Sequence, residues 1–220
     1  MNCGEKRKFV FFDLDGTLAD TDPDIRGAWK AALADLGLSC PDFDAKFVAG
    51  PPIDEMTRLL FPDRFTPELA DAIRDGFARR YDRDGFPQTR EYPGALEAVR
   101  RLKDAGCTVA IVTNKRYVGA TAMARHFGWD RVFDGIFAGD MTPPKVRKPE
   151  LLKRVLAAYG ATPADCALVG DTANDFEAAA ANGVRSVGVA WGYGRPEELA
   201  QADAVCRTPG DLVRVVRAGL

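Results

Sequence analysis

Four short stretches of the chain are apolar without interruption, and a different rhythm follows each. Phe9-Val10-Phe11-Phe12 is the first; Val109-Ala110-Ile111-Val112, Ala167-Leu168-Val169 and the softer Val187-Gly188-Val189-Ala190 come later. Apolar runs of this length, with no alternation, suit strands buried on both faces of a parallel sheet. Helical patterns lie near them: Gly94 to Ala105, the stretch before Phe127, and Pro149 to Tyr159. In the last, Leu151, Leu152, Val155, Leu156 and Tyr159 fall on one stripe at helical spacing. Strands alternating with helices predict an α/β fold built on a Rossmann-like, doubly wound parallel sheet.

Residues 19–90 break the alternation. Asp22-Pro23 reads as an N-cap followed by proline at the first helical position, and Ile25, Ala28, Trp29, Ala32, Leu33 and Leu36 then trace an amphipathic helix. Thr66-Pro67 repeats the signal ahead of Leu69, Ile73, Phe77 and Tyr81, and Ile53, Met56, Leu59 and Leu60 fit a shorter helix between them. No strand pattern stands out here. The expected organisation is a core of residues 1–18 and 91–220 interrupted by a small helical domain at 19–90, with hinges at Leu18 to Thr21 and Glu91 to Gly94.

Composition narrows the function more than the fold. A chain of 220 residues with 30 basic and 32 acidic side chains carries a net charge of −2, which gives no general attraction for nucleic acid or an anionic membrane. The cysteines Cys3, Cys40, Cys107, Cys166 and Cys206 are scattered, with no CxxC pair. They imply neither a disulfide framework nor a zinc site, and Cys107 and Cys166 read as small core residues. The apolar run before Asp13 is too short for a signal peptide or a membrane span. A reduced, cytoplasmic compartment is expected; oligomeric state is not legible.

Candidate chemistry gathers where predicted strands end. The first strand runs into Asp13-Leu14-Asp15-Gly16-Thr17. In open α/β sheets ligands bind beyond the carboxyl ends of strands. Two carboxylates about 4 Å apart repel by ~4 kcal/mol at an effective dielectric of 20, so a cation or a lysine is expected beside them. Gly16 permits the sharp turn. An EF-hand loop fails because Leu18 stands where its glycine belongs. The strand through Val112 ends in Thr113-Asn114-Lys115, Lys148-Pro149 opens a helix, and the strand through Val169 ends in Gly170-Asp171 with Asp175 four residues on. A lysine at a helix start runs against the helix dipole and suggests an acidic partner.

At these residues the chain resembles the haloacid dehalogenase superfamily over nearly its whole length. Asp13-Leu14-Asp15-Gly16-Thr17 matches the first family motif, Thr113 the second, Lys148 the third, and Gly170-Asp171 with Asp175 the fourth. The third motif departs from Lys-Pro-x-Pro, since Glu150-Leu151 follows Lys148-Pro149, and Lys145 is a rival for the lysine role. The helical insert and Ala190-Trp191-Gly192-Tyr193-Gly194 resemble the phosphoglycolate phosphatase-like branch. Gly50-Pro51-Pro52 and the helix from Lys148 look closer to relatives known as 5′-nucleotidases.

The resemblance implies a phosphatase acting on a small phosphorylated metabolite, phosphoglycolate first and a nucleoside monophosphate second. Asp13 would be the nucleophile, Asp15 the general acid and base, Thr113 a phosphoryl-oxygen donor and Lys148 the charge that offsets both. Mg²⁺ would take Asp13, the backbone carbonyl of Asp15, and Asp171, with Asp175, Asn114 and Gly16 in support. Lys46, Gly50, Pro51, Arg58, Lys115 and Arg116 are the expected substrate-facing positions, on the insert (the cap of that branch) and the loop at the core's edge.

The rivals differ in detail. A dehalogenase needs no acid at Asp15. A β-phosphoglucomutase-type enzyme shares every core residue and stays open. A receiver domain of a signalling system has no helical insert and no DxDGT run on its first strand. Neither serine (Ser39, Ser186) lies in GxSxG, no GxxxxGK[ST] loop exists, and the sole histidine, His126, reads as structural.

Overall fold

The computed structural model describes residues 7–220, apart from the side chains of 82–84; Cys3 lies outside the described residues. The chain forms two compact units, one of the residues up to Ala19 together with Glu91–Leu220, the other Asp20–Arg90. Strand β1 (Phe9–Phe12) leads to the two-residue β2 (Ala19–Asp20), and the helices α1 (Asp22–Asp35), α2 (Phe43–Lys46), α3 (Ile53–Leu60) and α4 (Pro67–Asp84) follow. The return passes through β3 (Arg90–Glu91), α5 (Ala95–Asp104), β4 (Thr108–Thr113), α6 (Tyr117–Phe127), β5 (Gly135–Ala138) and α7 (Lys148–Tyr159). Then come β6 (Cys166–Gly170), α8 (Ala173–Ala181), β7 (Arg185–Val189), α9 (Pro196–Leu199), β8 (Ala204–Cys206) and α10 (Leu212–Arg217).

In the larger unit six strands form one sheet in the order β5-β4-β1-β6-β7-β8. Every pairing in it is parallel. The expected doubly wound sheet is therefore present. β1 is central, and its four residues are all buried because helices cover both faces. Phe9 and Phe11 point into one core with Leu152 and Val155 of α7 and Ala178 and Ala179 of α8. On the other face Phe12 meets the edge of the Phe133 ring at 5.8 Å. Burying side chains of this size contributes roughly 1.5–3 kcal/mol each, which ties the position of Asp13 to a strand buried along its whole length.

Topology fixes where a ligand site can form. The chain moves outward from β1 through β4 and β5, then returns to β6 on the other side of β1. That reversal leaves a crevice beyond the carboxyl ends of β1 and β6. The register aligns these ends: Phe12 pairs with Ile111 of β4 and with Val169 of β6. Asp13, Thr113 and Asp171 consequently emerge from three adjacent strands at nearly one level.

The smaller unit is helical, as its periodicity predicts. Trp29 of α1 packs against Phe47 and Phe77, and α1 lies along α4. Thr66 caps α4 by accepting from the Leu69 N–H at 3.1 Å. Helix α1 is capped one residue earlier than its sequence signal implies, at Thr21, because Asp22 already has helical backbone. Asp24, buried in this unit, accepts from the backbone N–H groups of Gln88 and Thr89 and from the Thr89 hydroxyl, the last two at 2.7 Å. Asp24→Ala would orphan those donors at about 1–3 kcal/mol, so a thermal scan should show its unfolding midpoint several degrees below the parent's. An unchanged midpoint would deny Asp24 that role. No helix among the described residues is long and apolar enough to cross a membrane.

Candidate active site

Two lysines and four carboxylates occupy the carboxyl edge of the sheet. Lys148, the first residue of α7, is 2% exposed, and its Nζ lies 2.9 Å from Asp13 Oδ1 and 2.5 Å from Asp175 Oδ1. Lys145 is exposed, so of the two candidates it is Lys148 that reaches the acids. Asp175 uses its second oxygen differently: Oδ2 accepts from the backbone N–H and the hydroxyl of Thr172, capping α8. Both oxygens of Asp175 are thus committed, one to the helix start and one to Lys148.

Asp171 is fully buried and held on both sides. Its Oδ1 accepts from the Thr17 hydroxyl at 2.9 Å, and its Oδ2 from the Tyr193 N–H at 2.8 Å. The segment 191–194 follows β7 and closes over this carboxylate, with Trp191 Nε1 donating to the Thr17 carbonyl at 3.1 Å. Close approach dictates its glycines. A Cβ at Gly194 would collide with the Asp171 carbonyl, and one at Gly192 with the Gly16 carbonyl and Asp171 Cβ. Gly16 itself sits at φ +77°, a left-handed conformation that lets the chain turn between Asp15 and Thr17, and a Cβ there would strike the Asp171 carboxylate.

Asp15 takes a partner of its own. Lys115, beyond the end of β4, places Nζ 2.8 Å from Asp15 Oδ1. The Thr113 hydroxyl oxygen accepts from the Lys115 backbone N–H at 3.1 Å, and Asn114 stands half-buried beside it. The ammonium of Lys115, one of the expected substrate-facing positions, rests on an acid of the first motif. Arg116 is half-buried next to it.

The other expected substrate positions lie in the helical unit. Lys46 pairs with Asp42 at 3.5 Å, the Arg58 guanidinium lies 3.7 Å from the centre of the Phe65 ring, and Gly50 and Pro51 form the turn before α3. Lys46 and Arg58 therefore each have a local partner within that unit. His126 is exposed at the end of α6 with its ring edge-on to Phe127.

Electrostatics follow from this crowding. Burial pushes the Asp13 carboxyl up to about 6, with Asp175 and Asp15 adding to the rise and Lys148 opposing it. Asp171 is also held well above the ordinary carboxylate range, first by burial and then by Asp175 and Asp13. The Lys148 ammonium is shifted up because Asp13 and Asp175 outweigh its own desolvation. With all four carboxyl groups ionised, two ammonium groups leave two negative charges in excess, the charge of one divalent cation.

The donor set fits such an ion. Carboxylate oxygens of Asp13, Asp171 and Asp175 lie within 4.8 Å of one another. Asp13 Oδ1 is buried without a hydrogen bond, since Lys148 approaches it within ionic range but off the hydrogen-bonding direction. All-oxygen, acidic sites suit hard cations. Asp175 is engaged by the Lys148 ammonium and caps α8, whereas Asp171 accepts from neutral donors, the Thr17 hydroxyl and the Tyr193 N–H, so Asp13 and Asp171 are the carboxylates better placed to ligate. Thr17 and the glycine-rich segment 191–194, both within the motifs quoted above, are neighbours of Asp171 to which the sequence alone assigns no role. The paired glycines were the visible signal, but only the fold shows that they lie against Asp171.

Comparison with known proteins places the chain in one family. The family model for haloacid dehalogenase-like hydrolases matches residues 8–183. A phosphoglycolate phosphatase of Neisseria meningitidis is 36% identical over 200 residues, covering 89% of this chain and 85% of that protein. A 5′-nucleotidase of Pseudomonas aeruginosa is 32% identical over 193 residues, covering 86% of each. The crystal structure of a predicted phosphatase from Clostridium acetobutylicum superposes with a TM-score of 0.86 at 26% identity, covering 96% of this chain and 98% of that one. The chain belongs to the haloacid dehalogenase superfamily and is one of its phosphatases, a phosphoric monoester hydrolase.

Proposed function

We propose that the protein hydrolyses a small phosphomonoester in two steps through a phosphorylated Asp13, with Mg²⁺ as its metal and phosphoglycolate as its first candidate substrate. The observation that carries this reading is the buried lysine bridge, Asp13–Lys148–Asp175, beside Asp171. A carboxylate backed by a buried ammonium, next to an acidic set with two charges in excess, suits attack on a phosphoryl group.

In the first step an oxygen of Asp13 attacks phosphorus, the bond to the leaving oxygen breaks, and Asp15 gives that oxygen a proton. Thr113 accepts from the Lys115 N–H, which leaves its hydroxyl hydrogen to donate to a phosphoryl oxygen. Lys148 offsets charge on the nucleophile and the transferred group, and Asp175 aims Lys148. In the second step water attacks phosphorus as Asp15 takes its proton, and the bond from phosphorus to Asp13 breaks, which restores the Asp13 carboxylate and releases phosphate. Asp13, the Asp15 carbonyl and Asp171 would hold Mg²⁺, which when bound offsets negative charge on the phosphoryl oxygens. We read residues 20–90 as the family's cap. The compartment is reduced and cytoplasmic in this proposal, consistent with four described cysteines that are all free thiols.

Phosphate release across a panel of small phosphomonoesters tests the reading. Phosphoglycolate should give the highest kcat/KM with Mg²⁺, and a chelator should abolish release until Mg²⁺ is restored. Higher kcat/KM for nucleoside monophosphates would favour the second substrate class, to which the similarity with the 5′-nucleotidase points. No release from any phosphomonoester would end the proposal.

A further inference from the structure

The two first-motif acids are served by two different lysines. Lys148 sits on Asp13, whereas Lys115 sits on Asp15 at 2.8 Å, with the side chains of Lys115 and Asp15 only 7% and 14% exposed. The Lys115 stem is seated: an added methyl at Gly119, on the first turns of α6, would lie 3.7 Å from its Cε. Its backbone is tied as well, through the N–H that donates to Thr113 Oγ1. On the other side, the backbone of Asp15 is bridged to Ala19, and the next N–H, that of Gly16, donates to the Ala19 carbonyl at 2.9 Å. A fixed ammonium therefore meets a carboxyl group on a fixed turn.

We propose that Lys115 is the positioning residue for Asp15, an inference that rests on the reading of Asp15 as proton donor to the leaving group. An ammonium donating to Oδ1 occupies that oxygen, so the transferable proton of the acid form resides on Oδ2. The rotamer is set by the same bond, which aims Oδ2 in one direction. When Asp13 attacks phosphorus and the ester P–O bond breaks, the leaving oxygen keeps the bonding pair and takes the Oδ2 proton, leaving Asp15 a carboxylate on Lys115. Separate counter-ions let neighbouring acids do different work: Lys148 serves the attacking group and Lys115 the departing one.

Leaving-group dependence tests this. An alkyl phosphate expels a strongly basic alkoxide and needs the proton; p-nitrophenyl phosphate expels a weakly basic phenolate and needs little help. The quantity to compare is kcat/KM, which reports transfer to Asp13 and not the later attack of water. Lys115→Met should lower kcat/KM for an alkyl phosphate by about 100-fold, the lower range of general-acid contributions, and that for p-nitrophenyl phosphate by less than about fivefold, with Lys115→Arg recovering most of the difference. Lys115→Gln should show the same bias and serves if the methionine variant does not fold. An equal loss on both esters, or a rise in KM with kcat kept on both, would overturn the proposal, the second by making Lys115 a substrate contact. Asp15→Asn in the same assay separates the two levels. If it too lacks the bias, the acid assignment of Asp15 fails; if it shows the bias and the Lys115 variants do not, only the positioning role of Lys115 fails.

Discussion

Asp13→Asn is expected to lose turnover by at least ~10⁴-fold and yet to unfold at a higher temperature than the parent at pH 7.5 in a chelating buffer. The loss of activity follows from removing the nucleophile. The gain in stability follows from burial. The Asp13 carboxyl is raised from 3.8 to about 6 because desolvation, reinforced by Asp175 and Asp15, outweighs the help of Lys148. Between about pH 4 and 6 the folded state therefore binds more protons than the unfolded chain, and stability falls as pH rises through that window. Above it the cost of the ionised group is fully in place, of order 1–3 kcal/mol. Asparagine carries no such cost, and Lys148 keeps Asp175 as its partner. The advantage of the variant should shrink toward pH 4. Thermal scans at pH 7.5 and 4.5 read this directly; a variant less stable than the parent at pH 7.5 would contradict it, as would retained activity.

Lys148→Met should do the opposite to the fold. Its ammonium, 2% exposed, is the charge that Asp13 and Asp175 share. Removing one partner of a buried ionic group costs about 3–5 kcal/mol because the remaining charges are left without compensation. For a chain of this size that is a drop in unfolding midpoint of roughly 10 °C. The folded-state shift of Lys148 is upward, so its stabilisation is fully present below the ordinary lysine value and is lost only in strongly alkaline solution; at pH 7.5 the variant shows the whole deficit. On acidification Asp13 takes up a proton, and the deficit should narrow below pH 6. Turnover should fall about 10²–10³-fold, as when a transition-state charge stabiliser is removed. A variant with the parent's midpoint at pH 7.5 would mean that the two acids do not depend on Lys148.

The core strands were legible because burial on both faces writes unbroken apolar runs, and β1, β4, β6 and β7 fall where those runs predict. β5 and β8 were not. β5 is four residues beginning at Gly135, only its last one fully buried, and β8 is a three-residue edge strand with Val205 exposed. Edge strands need apolar residues on fewer sides, so their signal fades. In the helical unit α2 spans a single turn, Phe43–Lys46, too short for any periodicity to declare it. The chemistry was readable as far as it sits at strand ends: Asp13, Thr113 and Asp171 are placed by register, and Lys148 by the helix it opens. Contacts across long sequence separations were not readable. Nothing in the spacing of Lys115 and Asp15, 100 residues apart, or of Tyr193 and Asp171 announces that one holds the other.

The claim beneath all of this is that Asp13 carries the phosphoryl group during turnover. Enzyme mixed with Mg²⁺ and a phosphomonoester bearing a labelled phosphoryl group, quenched in acid within one turnover and digested, should yield the label on the peptide that contains Asp13. The label should disappear when quenching is delayed past substrate exhaustion, and it should be absent in Asp13→Asn. An enzyme that turns over fully while the label never appears on that peptide, at any quench time, would contradict the account.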